Sequence, residues 1–552
     1  MASSSIQLRN DGYFYRGEQR FVPVGVNYWP ASCGTEMWTT WPEAEIRADL
    51  QRIAGLGLNA IRFFLRWDAF QPEKETWNPL ALERLHHFLD WCEEAGIYAQ
   101  PTLFVGWMSG AIFWPDWKES RNLFADPEVR SLGAQFARKI AAVCREHHGA
   151  MMGIDLGNEL CCLPESRAAG SEAIAAWSQA ITAAVREAYP ETWLISGNEQ
   201  NQITSDCGWS LGQEIGTDCL SMHSYPVPTW HPLPFDGMRD PFAQSFLPFY
   251  VKAALAFGPV MVQEFGTILT QSPEIQREYL AAMLNACWQA GANGFLLWCW
   301  SDFTCNHHPY NKSAFEKDLG LVDVQGRVKA GVDQFLQFGK QLAHAEIPAR
   351  KEEVALYWPK HYYASEENPG NSPVRLAPRM LLAHYLIEQA GFPVAIVRPE
   401  MLEASTAKVL VITGAALTTE ETTALQQWVE KGGRVLWHGA DPMSMGPEFR
   451  QLTGFAALDF RFPGEWLLAA NGQGWKLDQF PHGIRVDIEV RAGEVAYAVD
   501  GVTLGVTCVV GTGRVLTFLP DIEGCAMLDA GNGKLRDRWS AWYGGMIRQL
   551  LS

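Results

Sequence analysis

The stretch Gly153-Ile154-Asp155-Leu156-Gly157-Asn158-Glu159-Leu160 has the apolar, turn-bounded character of a buried strand, and its last residues change abruptly to Asn-Glu. Apolar strands ordinarily end in turn residues, so a carboxylate preceded by an amide at the C-terminal tip calls for an explanation. A second segment, Pro259-Val260-Met261-Val262-Gln263-Glu264-Phe265-Gly266, repeats the pattern and delivers Glu264 at its end. Either carboxylate alone reads most simply as a strand-end charge that caps a helix or meets an Arg. What surrounds the two segments decides whether they form a pair.

On both sides of Glu159 the chain alternates between two periodicities. Strands are predicted at Phe21–Trp29, Leu58–Trp67, Ile97–Phe104, Met151–Leu160, Thr192–Asn198, Cys219–Tyr225, Val260–Phe265 and Gly294–Trp300. Helices are predicted between and after them at Glu43–Leu56, Pro79–Ala95, Pro127–His148, Ser171–Ala188, Ala243–Phe257, Pro273–Ala290 and Val328–Ala343, several closed by a Gly such as Gly57 or Gly96. Strands that alternate with helices pair in parallel through right-handed crossovers. Eight of them over ~320 residues are the count of a closed (β/α)8 TIM barrel, with an open doubly wound sheet as the alternative. Ile6 to Arg20, with Asn10-Asp11-Gly12 as its turn, reads as a hairpin ahead of the barrel.

Length and charge bound the rest. At 552 residues the chain exceeds one ordinary core. With 47% hydrophobic and 19% charged residues it has a globular composition. The formal net charge of -18 argues against nucleic acid or an anionic membrane as partner, because both need a surplus of Lys and Arg. No stretch approaches the ~18 apolar residues of a membrane span, and the N-terminus reads as lacking a secretory signal, so a cytoplasmic site is expected. The 12 Cys are scattered without C-x-x-C spacing and read as reduced core residues. Vicinal Cys161-Cys162 reads as loop packing rather than a redox pair, and Cys299, Cys305, His307 and His308 match no usual zinc spacing. Neither a metal nor an organic cofactor is expected.

In a barrel of this kind function sits at the C-terminal strand ends. Those positions carry Asn27 and Trp29; Arg62; Asn158 and Glu159; Asn198 and Glu199; His223 and Tyr225; Glu264; and Trp298 and Trp300. Aromatic faces, amides and carboxylates line carbohydrate pockets, where they meet the apolar side of a sugar ring and its hydroxyls. Glu159 and Glu264 arrive from the fourth and seventh strands, on opposite sides of one pocket. Two carboxylates flanking a sugar are what glycosidic bond cleavage requires. Arg62 could hold one Glu ionised and Tyr225 could hydrogen-bond it. Trp107, Trp114, Trp117 and Trp209 read equally as sugar platforms and as loop cores.

The combination Asn-Ala-Ile-Arg at 59–62, Gly-Asn-Glu at 157–159, His-Ser-Tyr at 223–225, Glu-Phe-Gly at 264–266 and Trp298 resembles clan A of the retaining glycoside hydrolases, most closely glycoside hydrolase family 5, over about residues 5–343. The resemblance implies Glu159 as acid/base and Glu264 as nucleophile, with Arg62, Asn158, His223, Tyr225 and Trp298 shaping the subsite of the cleaved sugar. Trp29, Trp300 and Asn27 are further expected contacts. One position departs from the pattern: many members carry a His at the third strand end, where this chain has Gln100-Pro101-Thr102-Leu103.

After a polar linker at Glu346–Glu353, a smaller α/β sheet is expected from Val354–Trp358, Val394–Arg398, Val409–Thr413 and Arg434–His438, followed by a β-rich stretch to about Thr517 and a closing helix Lys534–Leu551. The expected domains are 1–345, 352–459 and 460–552, the last possibly completing the second. This half resembles the glutamine-amidotransferase-like trimerisation domain of family 42 β-galactosidases, on Val409-Leu410-Val411-Ile412 and Gly432-Gly433-Arg434-Val435-Leu436. Thr413-Gly414-Ala415-Ala416 offers no nucleophilic Cys, so a role in forming a homo-oligomer, dimer or trimer, is expected instead of a second active site. The resulting expectation is a retaining exo-β-glycosidase acting on short oligosaccharides, a β-mannosidase first. A β-galactosidase, an endo-β-mannanase or glucanase, and a carbohydrate-binding protein with an inactive barrel are the alternatives.

Overall fold

A computed structural model describes residues 6–349, 352–363, 368–461, 466–470, 473–477, 485–499, 501–528 and 530–552. Parts of the expected linker and of the β-rich stretch lie outside these. Two compact units are formed, one from Met1–Val227 and Gln244–Pro348, the other from Pro228–Ala243 and Ala349–Ser552.

The first unit is a closed parallel barrel of eight strands: β1 (Val24–Tyr28), β2 (Ala60–Phe64), β3 (Tyr98–Phe104), β4 (Ile154–Asn158), β5 (Leu194–Gly197), β6 (Cys219–Ser224), β7 (Val260–Phe265) and β8 (Phe295–Leu297). Each pairs with its neighbour in sequence, and β8 closes on β1. All residues of these strands are buried, because helices cover their outer face and side chains fill the axis. Except for β7, observed with the expected bounds, the expected strands overran the observed ones at one or both ends.

Local chemistry sets the helix bounds. Asn78 accepts from the backbone N–H of Leu80 and Ala81 to start Pro79–Ala95, which ends at Gly96 with φ 72°. Asp126 starts Pro127–Glu146, and Ser272 starts Pro273–Ala290, which ends at Gly291 with φ 109°. The expected helix at Ser171 begins earlier, at Pro164, and breaks helical geometry at Gly170. Ahead of the barrel, Ile6–Leu8, Phe14–Arg16 and Gln19–Phe21 form a three-stranded antiparallel meander, one strand more than the expected hairpin. Ile6 and Phe14 join Ala60, Tyr98, Met152 and Trp193 in one apolar cluster at the start of the barrel strands. That end is plugged, which leaves the opposite end for a pocket.

The second unit is built on a seven-stranded sheet. Its strands are β9 (Val354–Tyr357), β10 (Val394–Val397), β11 (Val409–Thr413), β12 (Arg434–His438), β13 (Glu494–Val499), β14 (Val502–Val510) and β15 (Gly513–Phe518). The order is β10-β9-β11-β12-β15-β14-β13, parallel from β10 to β15 and antiparallel beyond. Strands of the expected β-rich stretch therefore extend the α/β sheet. Pro228–Ala243 belongs to this unit: Asp240 pairs with Arg536, and the Phe242 ring meets Tyr385 at 5.0 Å. The backbone turns sharply after β11 at Gly414, φ 58°. Nearby, buried His438 meets Glu523 at 2.8 Å and the Tyr543 hydroxyl at 3.0 Å. Among the described residues no helix is long and apolar enough to cross a membrane.

Candidate active site

The tip of β4 is organised by a charge buried inside it. Asp155 is fully buried and takes Arg62 Nε at 2.9 Å, the Thr102 hydroxyl at 2.7 Å and the Gly197 N–H at 2.8 Å. These donors replace the hydration that a carboxylate loses on burial. Only glycine fits at 197, because a Cβ there would lie 2.4 Å from Arg62 Nη2 and 2.6 Å from the Gly157 carbonyl. The fixed Arg62 then distributes its remaining donors. Nη1 reaches Glu264 Oε1 at 2.7 Å and Asn27 Oδ1 at 3.1 Å, and Nη2 reaches Asn158 Oδ1 at 2.8 Å. Burial alone would lower the Arg62 pKa, but the Asp155 and Glu264 charges overcome it and the pKa is raised.

Two backbone irregularities aim the carboxylates. Glu159 sits just beyond β4 at φ 47°, ψ 42°, a left-handed conformation that costs a non-glycine residue roughly 1–3 kcal/mol and is typically held only where the surroundings enforce it. Its N–H donates to the Gly197 carbonyl at 2.6 Å. In β7 the register against β6 slips between Val262 and Glu264, a bulge that turns Glu264 toward the axis. One oxygen each of Glu159 and Glu264 and a ring nitrogen of His223 consequently lie within 4.8 Å of one another.

The two carboxylates differ in surroundings. Glu264 accepts from Arg62 and, on its other oxygen, from the Tyr225 hydroxyl at 2.8 Å. Burial, with Glu159 adding to it, pushes its pKa up, and Arg62 and Tyr225 offset this only in part. Glu159 faces His223 Nδ1 at 3.0 Å. Burial lowers that imidazole to about 4, so it is neutral near pH 7 and brings Glu159 no charge. Burial raises Glu159 to about 7, countered only in part by Arg62. The Arg62 cation and the Tyr225 hydroxyl favour the charged form of Glu264, while burial favours the protonated form of Glu159.

The remaining strand-end residues divide into lining and support. Asn158 is held between Arg62 and the Trp107 carbonyl, 2.6 Å from its Nδ2. Trp298 donates to buried Glu316 at 3.0 Å and meets the Phe64 ring edge-on at 6.0 Å. Three expected sugar contacts are corrected to supports. Asn27 is fully buried, its amide donating to the Gln263 carbonyl at 2.8 Å and its oxygen taken by Arg62. Trp29 is 1% exposed and stacks on Phe64 at 5.3 Å. Trp300, also 1% exposed, is packed inside the fold, its backbone N–H donating to the Asn27 carbonyl at 2.9 Å. Of the loop tryptophans, Trp117 bonds the Gln71 carbonyl, and Trp209 bonds Glu214 at 3.0 Å and packs edge-on against Trp177. Trp114 instead lines a cavity of about 350 Å3 with Glu36, Arg66, Phe113, His307 and His308, drawn from the loops after β1, β2, β3 and β8.

The strand-tip reading did not pick out Asp155 and Glu316. Asp155 announces itself as a charge amid apolar residues in a buried strand, which requires a buried partner. Glu316 comes from the long loop after β8 and bears no periodic signal; burial raises it to about 8 despite the Trp298 bond.

Residues 25–304 match the family description Cellulase (glycosyl hydrolase family 5). The chain belongs to glycoside hydrolase family 5. It is therefore a clan A glycoside hydrolase. Among solved structures, exo-β-1,4-mannosidase Op5Man5 from Opitutaceae bacterium strain TAV5 is 42% identical over 97% of this chain and 99% of its own, with a TM-score of 0.92. A GH5_18 enzyme of Streptomyces cattleya in complex with Manβ1-4GlcNAc is 22% identical over 71% of this chain and 99% of its own, TM-score 0.64. A catalytic mutant of Gan42B, a GH42 β-galactosidase from G. stearothermophilus, is 15% identical over 93% of this chain and 88% of its own, TM-score 0.67. The last two likenesses are of fold alone. No curated protein matches.

Proposed function

We propose that this family 5 enzyme is a retaining exo-β-mannosidase that releases terminal β-mannose from short oligosaccharides. The observation that carries the retaining mechanism is the closeness of Glu159 and Glu264, whose nearest oxygens lie within 4.8 Å. Retaining glycosidases hold their carboxyl groups ~5–5.5 Å apart, whereas inverting ones leave ~6.5–9.5 Å for a water between them. Glu264, ionised and oriented by Arg62 and Tyr225, attacks the anomeric carbon while Glu159 gives its proton to the departing oxygen. Glu159 then takes a proton from the water that releases the sugar.

The sugar assignment draws on the 42% identity to a protein named exo-β-1,4-mannosidase across almost the whole of both chains. Exo action draws on the same printed name. The second unit, lacking a nucleophile after β11, serves in this reading as a scaffold for self-association. The buried free cysteines fit a reducing cytoplasmic setting. Comparison of p-nitrophenyl β-glycosides tests the sugar: kcat/KM is highest for the mannoside, and a larger value for the galactoside, the reading favoured by the likeness of the second unit, overturns the choice.

A further inference from the structure

Immediately behind Glu159 lies a second cluster that the hydrolysis scheme does not use. Leu160–Cys162 forms one tight turn directly after Glu159, and the Cys162 N–H closes it on the Glu159 carbonyl at 2.8 Å. The turn points two thiols at Glu199 beyond β5: Cys161 Sγ lies 3.7 Å and Cys162 Sγ 3.4 Å from the same oxygen, Oε1. All three ligand atoms fall within 4.8 Å of one another. Glu199 is itself held in place, because the Asn201 backbone N–H donates to Oε1 at 2.9 Å while Asn201 Nδ2 lies 3.7 Å from Cys162 Sγ.

We propose that Cys161, Cys162 and Glu199 form a three-ligand site for a thiophilic divalent cation, Zn2+ or Cd2+, and that its occupation slows hydrolysis through Glu159. The spacing carries this. With metal–sulfur bonds of ~2.3 Å and metal–oxygen bonds of ~2.0 Å, a tetrahedral ion sets sulfur and oxygen about 3.5 Å apart, which the two measured separations bracket. Two sulfurs and one carboxylate leave the fourth position to water, and the Asn201 contacts supply the outer support that orients metal ligands. Access is available, since among the described cysteines Cys162 alone is not fully buried.

Binding forms two metal–sulfur bonds and one metal–oxygen bond, and the thiol protons pass to solvent. A proton on Glu199, whose carboxyl is pushed up to about 8 by burial and by Glu159, leaves as well. Two thiolates and a carboxylate outweigh the dication by one negative charge beside Glu159. Filling the site also clamps the Leu160–Cys162 turn, which is closed on the Glu159 carbonyl, and so restrains Glu159 from the position in which it must act. This kinetic link rests on the role proposed above for Glu159; the binding site does not.

Titration of the full chain with Cd2+ separates the two. One equivalent produces thiolate-to-metal charge-transfer absorption, and turnover falls and is restored by a chelator. Cys162→Ser weakens binding by roughly a hundredfold or more, and the Cys161→Ser/Cys162→Ser variant loses both the absorption and the inhibition relative to its own metal-free rate. The sulfur-free group Glu159, His223 and Glu264 cannot give such absorption. Absence of the band at one equivalent, or its persistence in the double variant, overturns the site. A normal band with unchanged turnover overturns the link to Glu159.

Discussion

Glu264→Ala abolishes turnover, with a fall in kcat of about 10^5-fold or more, the order of loss when the nucleophile of a covalent mechanism is removed. The expected size follows from what Glu264 brings. It lies within 4.8 Å of its partner carboxylate and is held at its two oxygens by Arg62 at 2.7 Å and Tyr225 at 2.8 Å, so no other carboxylate can substitute in position. Truncation empties the attacking position but leaves Glu159 to protonate the leaving oxygen. Azide therefore restores cleavage of an activated β-mannoside and yields the α-mannosyl azide, since the small anion attacks from the vacated side. A variant with more than a few per cent of native turnover, or an azide product of β configuration, contradicts the assignment.

Glu159→Ala is expected to be the second largest loss and a more selective one. General acid–base catalysis contributes ~10²–10⁴-fold, and its share depends on how badly the leaving oxygen needs a proton. For a mannose-containing disaccharide the first step suffers the full loss. For an activated aryl mannoside, whose phenolate departs unaided, it is nearly spared. The pH profile supplies an independent readout. Burial raises Glu159 to about 7, so its proton is present below that pH and is lost as pH rises through it. Native activity accordingly falls on the alkaline side near pH 7, and Glu159→Ala lacks that limb. An unchanged alkaline limb in the variant assigns the proton donor elsewhere.

Much of this site is readable in the sequence because a TIM barrel presents its chemistry at strand tips, where a polar residue after an apolar run stands out. Asn158-Glu159, His223-Ser224-Tyr225 and Glu264 are legible for that reason, and β7 and the helix Pro273–Ala290 were bounded correctly by Pro, Gly and Ser. Asp155 escapes a search confined to tips, although it is the group that fixes Arg62 and, through it, Glu264. Asn27, Trp29 and Trp300 show the limit from the other side. Being near a tip does not say which way a side chain turns, and tertiary packing buries Trp300 and lays Trp29 onto Phe64. Glu316 and the incorporation of Pro228–Ala243 into the second unit depend on long loops, whose paths have no periodicity to read. The meeting of Cys161 and Cys162 with Glu199 is likewise a product of β4 and β5 lying side by side, invisible in a spacing of nearly forty residues.

The central claim is that Glu264 and Glu159 cleave a β-mannoside by two successive displacements. Proton NMR of the anomeric signals during the first minutes of p-nitrophenyl β-mannoside hydrolysis tests it most directly, before mutarotation mixes the products. Two inversions at one carbon predict that β-mannose appears first and the α-anomer grows in later. First appearance of α-mannose would mean a single displacement by water and would contradict the account.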